Sequence, residues 1–159
     1  MHEDQGVSIG TRSAEAVASG LTTRYGISIV TSGKRSDRLM TNARAKRLEK
    51  LVKQFAEGVA AQSEAVGRGH AGNRHAKQYI RAFEALCDLG DEGRDALVPL
   101  LSDSRADVRG MAAAFLLRHR HDEAKRVLDE LASGTGFSAF AAAETLKRWA
   151  EGTWQLDPL

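Results

Sequence analysis

Five histidines and one cysteine are the side chains best suited to acid–base or metal chemistry near neutral pH. Four of the histidines come in pairs, His70 with His75 and His119 with His121. A zinc site needs three or four ligands, usually with Cys or carboxylate support. No cysteine accompanies either pair and the spacing fits no zinc pattern, so they read as surface or loop histidines and no metal is expected. Cys87 is the lone cysteine and cannot form an intrachain disulfide. It falls on the apolar side of a predicted helix, which makes it core filler rather than a nucleophile. Gly67–Gly72, GRGHAG, is rich in glycine, but a phosphate loop needs a preceding strand and a Lys-Ser/Thr ending, and both are missing. Glu57 and Glu64, like Asp129 and Glu130, read as carboxylates of helix surfaces. No catalytic residue is nominated and no cofactor is expected.

Charge is more informative than any catalytic pattern. Arg44, Arg47 and Lys50, with Lys46 and Lys53, line the polar side of the first convincing helix, and Arg68, Arg74, Lys77 and Arg81 continue through the next loop and helix. Residues 41–90 hold nine Lys/Arg against five Asp/Glu, a net +4, whereas residues 91–159 hold nine against twelve, a net −3. Phosphates require only positive charge, so such a basic face could grip a nucleic-acid backbone in a salt-sensitive, sequence-blind way. Glu49, Glu57 and Glu64 dilute the set, no aromatic stacking platform accompanies it, and the net charge of the whole chain is only +2. The competing reading is an ordinary solvated face.

The elements that must position these residues begin near residue 41. Residues 1–40 read as a poorly structured N-terminal extension, broken by Gly6, Gly10, Gly20, Gly26 and Gly33, with a weak helix at Ser13–Ser19 and a short alternation at Tyr25, Ile27 and Ile29 compatible with a strand. Met40 stands just before the helical part, and a natural chain starting there is an alternative account of the first 39 residues. A helix over 42–66 follows from Leu48, Leu51, Val52, Phe55 and Val59 at helical spacing. A second, 73–89, starts on Asn73 as N-cap and buries Tyr79, Ile80, Phe83, Leu86 and Cys87. A third, 92–101, is capped by Asp91, turns Leu97, Leu100 and Leu101 inward, and is bent by Pro99. A fourth, 105–118, has Ser104 and Asp107 as a capping-box-like pair and buries Val108, Met111, Ala112, Phe115 and Leu116. A fifth, 122–132, buries Ala124, Val127, Leu128 and Leu131. A sixth, 137–150, turns Phe140, Ala141, Leu146 and Trp149 inward, and Trp154 and Leu156 fold back onto the last pair.

An internal repeat is visible. MAAAFLL at 111–117 matches FAAAETL at 140–146, and the helices before them are offset by a similar amount, so residues 91–150 read as two copies of one helix pair after a longer first pair. LVPLLSDSRADVRGMAAAFLL resembles a HEAT repeat, with Pro99, Asp103, Val108, Arg109, Ala112 and Ala113 in the matching places. The resemblance implies structural roles: Asp103 caps the second helix of the unit and Arg109 ties neighbouring repeats together. More widely, Leu51–Pro158 resembles a bacterial family of HEAT-like helical domains labelled as a domain of unknown function, number two-thousand-nineteen in that series. The matching parts are LVKQFAEGVAAQSEAV, the Asn73-Arg74 helix start, ALVPLL followed by VRGMAA, the Ala-rich sixth helix with Thr145-Leu146, and the ending EGTWQLDP. The basic, glycine-rich Gly67–Gly72 departs from that pattern. The resemblance implies the fold and supplies no activity.

The fold expected is therefore all-α, a short α-α superhelix of HEAT/ARM-like type with about six helices in three antiparallel pairs over 41–159. The expected function is a non-catalytic protein-interaction module, of which an immunity-type or regulatory protein is one form. The alternatives are phosphate-backbone binding through the basic face and an enzyme without a recognisable motif. A positively charged start followed by an apolar run is missing and no segment reads as a membrane span, so a cytoplasmic protein, monomeric or weakly self-associating, is expected.

Overall fold

The computed structural model describes residues 30–66 and 70–157; the weak helix and the strand expected before residue 30 lie outside them. The described residues form six α-helices, α1 (Val30–Ala65), α2 (His70–Cys87), α3 (Asp91–Asp95), α4 (Ala106–Leu116), α5 (His121–Ala132) and α6 (Phe137–Ala150), with a 3-10 turn at Val98–Ser102 and no strand among them. The chain divides into two compact units, Met1–Ala43 and Arg44–Leu159.

In the first unit the described backbone is helical from Val30, twelve residues before the start expected at Asn42. Residues 35–43 are exposed, and the Thr41 hydroxyl donates to the Asp37 carbonyl at 2.7 Å. A helix with no buried face carries no apolar period, so its sequence gives no rhythm to read. Residues 30–40 are helical rather than unstructured.

The second unit is all-helical, with helices packed side by side as in a small helical superhelix. Its centre is α4. Ala112 to Leu117 are buried without interruption, which a helix tolerates only when neighbours cover it all round. α5, α6 and the 3-10 turn pack on it directly. The first two helices reach it through aromatic rings: Phe55 of α1 and Tyr79 of α2 meet Phe115 edge to face at 5.5 and 6.1 Å, and Phe83 lies 4.5 Å from the same ring. α1 and α2 run antiparallel here, with Gly58 against Tyr79 at one level and Arg44 donating to the Leu89 carbonyl at another.

The expected third helix is divided. α3 ends at Asp95, and Pro99 occupies the start of the 3-10 turn instead of bending a continuous helix. Proline offers no N–H to the carbonyl four residues back, and the chain switches to three-residue bonds, Leu100 N–H to Leu97 and Asp103 N–H to Leu100. α3 can lie close to α2 because residue 93 is glycine; a β-carbon there would collide with the Leu86 carbonyl oxygen. α2 starts at His70 rather than at Asn73, and Gly90, not Asp91, precedes α3.

The expected capping box before α4 is not formed. Arg105 is the N-cap residue, Asp103 accepts from its N–H at 2.8 Å, and Asp107 accepts from the Val108 N–H at 3.0 Å. Arg109 folds back on the loop before its own helix, donating to the carbonyls of Asp103 and Ser104 at 2.8 and 3.3 Å, and ties no second helix pair. Ile80, 39% exposed, Phe140 and Ala141 do not point inward; in α6 the buried positions are Ala139 and Ala142.

The chain closes on itself at the C-terminus. α6 ends in a Schellman motif, with Gly152 at φ +70°, its N–H on the Trp149 carbonyl and the Thr153 N–H on the Arg148 carbonyl. This reversal brings Trp154 under α4, where its indole N–H donates at 3.1 Å to the Ala114 carbonyl, one of the last-turn acceptors a helix leaves unpaired. Asp157 is buried, whereas Leu156 stays 39% exposed. Replacing Ala112 by Leu should lower stability by about 1–3 kcal/mol through overpacking, and Ala143→Leu on the exposed side of α6 should stay within about 0.5 kcal/mol. Urea unfolding of both variants checks the placement of this core.

Candidate binding site

The structure separates the basic residues singled out in the sequence. Arg44 is tied down by Glu92 at 2.6 Å and by the Leu89 carbonyl, so it braces α1 against the end of α2. Arg47 and Lys50 are exposed on α1, and Arg74, Lys77 and Arg81 are exposed on α2. Arg74, Lys77 and Arg81 border an open groove of about 670 Å³ whose other wall is Leu51 and Gln54 of α1. Arg68 lies outside the described residues. Pro99, Asp103 and Ser104 lie in the α3–α4 connection, where Ser104 contributes its backbone carbonyl to Arg109 and not a side-chain cap.

A second hollow was not legible in the sequence. An apolar cavity of about 210 Å³ opens between α1, α2, α4 and α6. Val59, Tyr79, Met111, Ala114 and Ala142 form its apolar walls, with Gln62, Ser63, Asp107 and Thr145 as the polar groups at its edge. Its lining is rich in small residues, Gly110 and Ala114 on α4 and Ala141 and Ala142 on α6. Phe137, 67% exposed, and Val66, 61% exposed, stand at the mouth, and Phe140, 64% exposed, follows one turn along α6. Periodicity assigned only one apolar stripe to α6. The helix has two, Ala139, Ala142, Leu146 and Trp149 toward the core and Phe137, Phe140 and Ala141 toward the outside, and that doubled stripe is the signal that could have revealed the site.

The polar edge is held by one guanidinium. Arg105 donates to both Asp107 oxygens at 2.8 and 3.1 Å and to Glu64 at 3.0 Å, and these bonds, Asp107 first, raise its pKa further. Burial pushes the Asp107 carboxyl up, but Arg105, the Ser63 hydroxyl and the Val108 N–H together bring it below its ordinary value. The Asp107 carboxylate is therefore held in its ionised, partnered form and fixes the loop before α4.

Several other titratable groups are also engaged in structure. His119 Nε2 lies 2.7 Å from Asp95, which also takes Arg120 at 2.7–2.8 Å, and Arg120 followed by His119 lowers the Asp95 pKa. His119 Nδ1 is 3.8 Å from Asp91, so both ring nitrogens face carboxylates. His121 stacks on Trp149 with centroids 5.3 Å apart. Among the described residues, no three His, Cys, Asp or Glu side chains converge as a metal site would need. No described helix is long and apolar enough to cross a membrane. Arg94 forks onto the buried Asp157 at 3.1 and 3.2 Å, and Cys87 Sγ sits 3.8 Å from the same carboxylate. Burial first, with Asp157 beside it, pushes the thiol up to about 11 despite the opposing Arg94 charge.

No family model matches the chain, and no curated protein matches it significantly. A solved structure shares its fold: the crystal structure of the protein RPA1889 from Rhodopseudomonas palustris CGA009 is similar with a TM-score of 0.64 and 24% identity, over 68% of this chain and 92% of that one. At that identity the likeness concerns the fold alone.

Cys87 should therefore resist thiol reagents. A disulfide reagent at pH 7.5 is expected to label the folded protein at least tenfold more slowly than the unfolded chain, because the reactive thiolate is suppressed and shielded. Equal rates would show that Sγ is not held against Asp157.

Proposed function

We propose that this chain is a non-catalytic protein-interaction module that seats an apolar side chain of a partner protein in the cavity between α1, α2, α4 and α6. The observation that carries the reading is the pairing of that cavity with Phe137, Phe140 and Val66 on the adjoining surface. Large exposed apolar side chains grouped beside an apolar hollow mark binding surfaces, since water gains when they are covered. Arg105, Asp107 and Glu64 at the edge supply the polar rim that such an interface has around its apolar centre. The same reading takes the helices as HEAT-like repeats belonging with the helical family of unknown function that the sequence resembles. It places the protein in the cytoplasm, where one free, unpaired cysteine is normal. A regulatory or immunity-type role is one form this module takes.

A photo-crosslinking residue at position 140, used in cells, followed by binding measurements on the purified partner, tests the proposal. Phe137→Ala with Phe140→Ala should weaken that complex by roughly 30-fold or more, the loss of about 2 kcal/mol typical of an aromatic anchor, with the unfolding midpoint unchanged. Binding that survives the double substitution would overturn it.

A further inference from the structure

We propose that the groove between α1 and α2 is a second binding site, on a part of the surface that shares no lining residue with the apolar cavity, and that it takes the phosphodiester backbone of a nucleic acid. Three cations form one stripe on α2. Arg74, Lys77 and Arg81 fall at i, i+3 and i+7, so they share a face of that helix and border the groove. Arg47 and Lys50 extend it on α1, one turn before Leu51 and Gln54 of the opposite wall. Because the helices run antiparallel, the five cations spread along on the order of 15–20 Å of groove. That length matches about five successive phosphates of one strand at roughly 3.4 Å of rise each.

What separates these five from the other unpaired cations of the unit, such as Arg126, Lys147 and Arg148, is their place on or beside the groove. Arg44, Lys53, Arg94, Arg105, Arg120 and Lys125 are all ion-paired, whereas none of Arg47, Lys50, Arg74, Lys77 and Arg81 makes an ion pair among the described residues. Glu57 is occupied by Lys53, and Glu84 and Asp88 continue the α2 stripe at the level of Lys50 and Arg47 without forming an ion pair among the described residues, so the positive charge is densest at Arg74, Lys77 and Arg81. Mutually repelling charges gathered at one groove are compensated when an anion neutralises several of them together.

The floor decides which polyanion fits. An acidic protein partner needs an apolar anchor at the centre of its contact, and the groove offers only half-buried Leu51 and buried Ala82. Asn73, Gln54 and Gln78 instead add amide donors suited to phosphate oxygens. No exposed aromatic ring lines the groove, so bases have no stacking platform and binding is blind to sequence.

Fluorescence anisotropy of labelled 20-nucleotide single-stranded DNA, the same RNA and a 20-base-pair duplex, with the full chain at 50–200 mM NaCl, tests this. Binding in the micromolar range at 50 mM is expected, falling about 100-fold by 200 mM for a single strand and about 500-fold for the duplex, as five phosphate contacts require. Preference for the single strand or the duplex identifies the source of the phosphates. The triple variant Arg74→Gln, Lys77→Gln, Arg81→Gln should lose at least tenfold in affinity and flatten the salt dependence. Arg126→Gln with Lys147→Gln should bind as the native protein does, and thermal unfolding confirms that both remain folded. Absence of binding to all three probes at 50 mM salt overturns the proposal, as does a triple variant that binds normally. Displacement by poly-glutamate as effectively as by unlabelled oligonucleotide overturns it too, and assigns the groove to an acidic protein.

Discussion

Everything in the second unit depends on how closely other helices approach α4. Its buried run from Ala112 to Leu117 begins with three alanines, so neighbouring helices lie nearly on its backbone, and a single methyl is all that separates them at those positions. The bulk needed to fill the remaining space comes from Phe115, around which Phe55, Tyr79 and Phe83 gather from α1 and α2. Small residues on one side and an aromatic cluster on the other make α4 the common wall of two differently built halves.

The two hollows follow from that arrangement. Where α4 contributes Gly110 and Ala114 and α6 contributes Ala141 and Ala142, small side chains leave a cavity open beside Val59 and Tyr79. α6 is the last helix of the described chain, and its second apolar stripe has no further helix to cover it. The α1–α2 groove has another origin. Its walls are long polar side chains, and its floor is closed by Leu51 and Ala82 on the way to the aromatic cluster. One face is thus apolar and rimmed by satisfied ion pairs, and the other is cationic with its charges unspent.

Most of the helical order could be read from apolar spacing, because α5 and the buried half of α1 each present one continuous face and α4 ends in an unbroken apolar run. The last helix, read from the sequence as 137–150, has those ends in the structure. Periodicity failed where a residue's environment is set by distant partners. Phe140 fits an inward stripe in the sequence, but the smaller Ala139 and Ala142 take the core side because close helix approach leaves no room there for a ring. Asp157 lies in a short tail, where nothing in sequence announces burial; its cost is met by Arg94, sixty-three residues earlier. Pro99 was located, but its effect depends on Gly93 letting α3 end against α2. Arg44 belonged to a basic set by spacing alone, and only the Glu92 partner removes it. Of the two hollows, the basic groove had its cations in view from the start, whereas the apolar cavity emerges from packing.

Both tryptophans of the chain lie at the C-terminal closure, Trp149 and Trp154, with rings 5.2 Å apart at 76° and Arg118 over the Trp154 ring. Intrinsic tryptophan emission is therefore a local signal. It registers whether the tail is seated beneath α4, and it is silent about α1 and α2, whose ring chromophores are Phe55, Tyr79 and Phe83. The molecule carries a spectroscopic division between its halves, so that tail release and separation of the first helix pair can be followed as distinct events in one unlabelled sample.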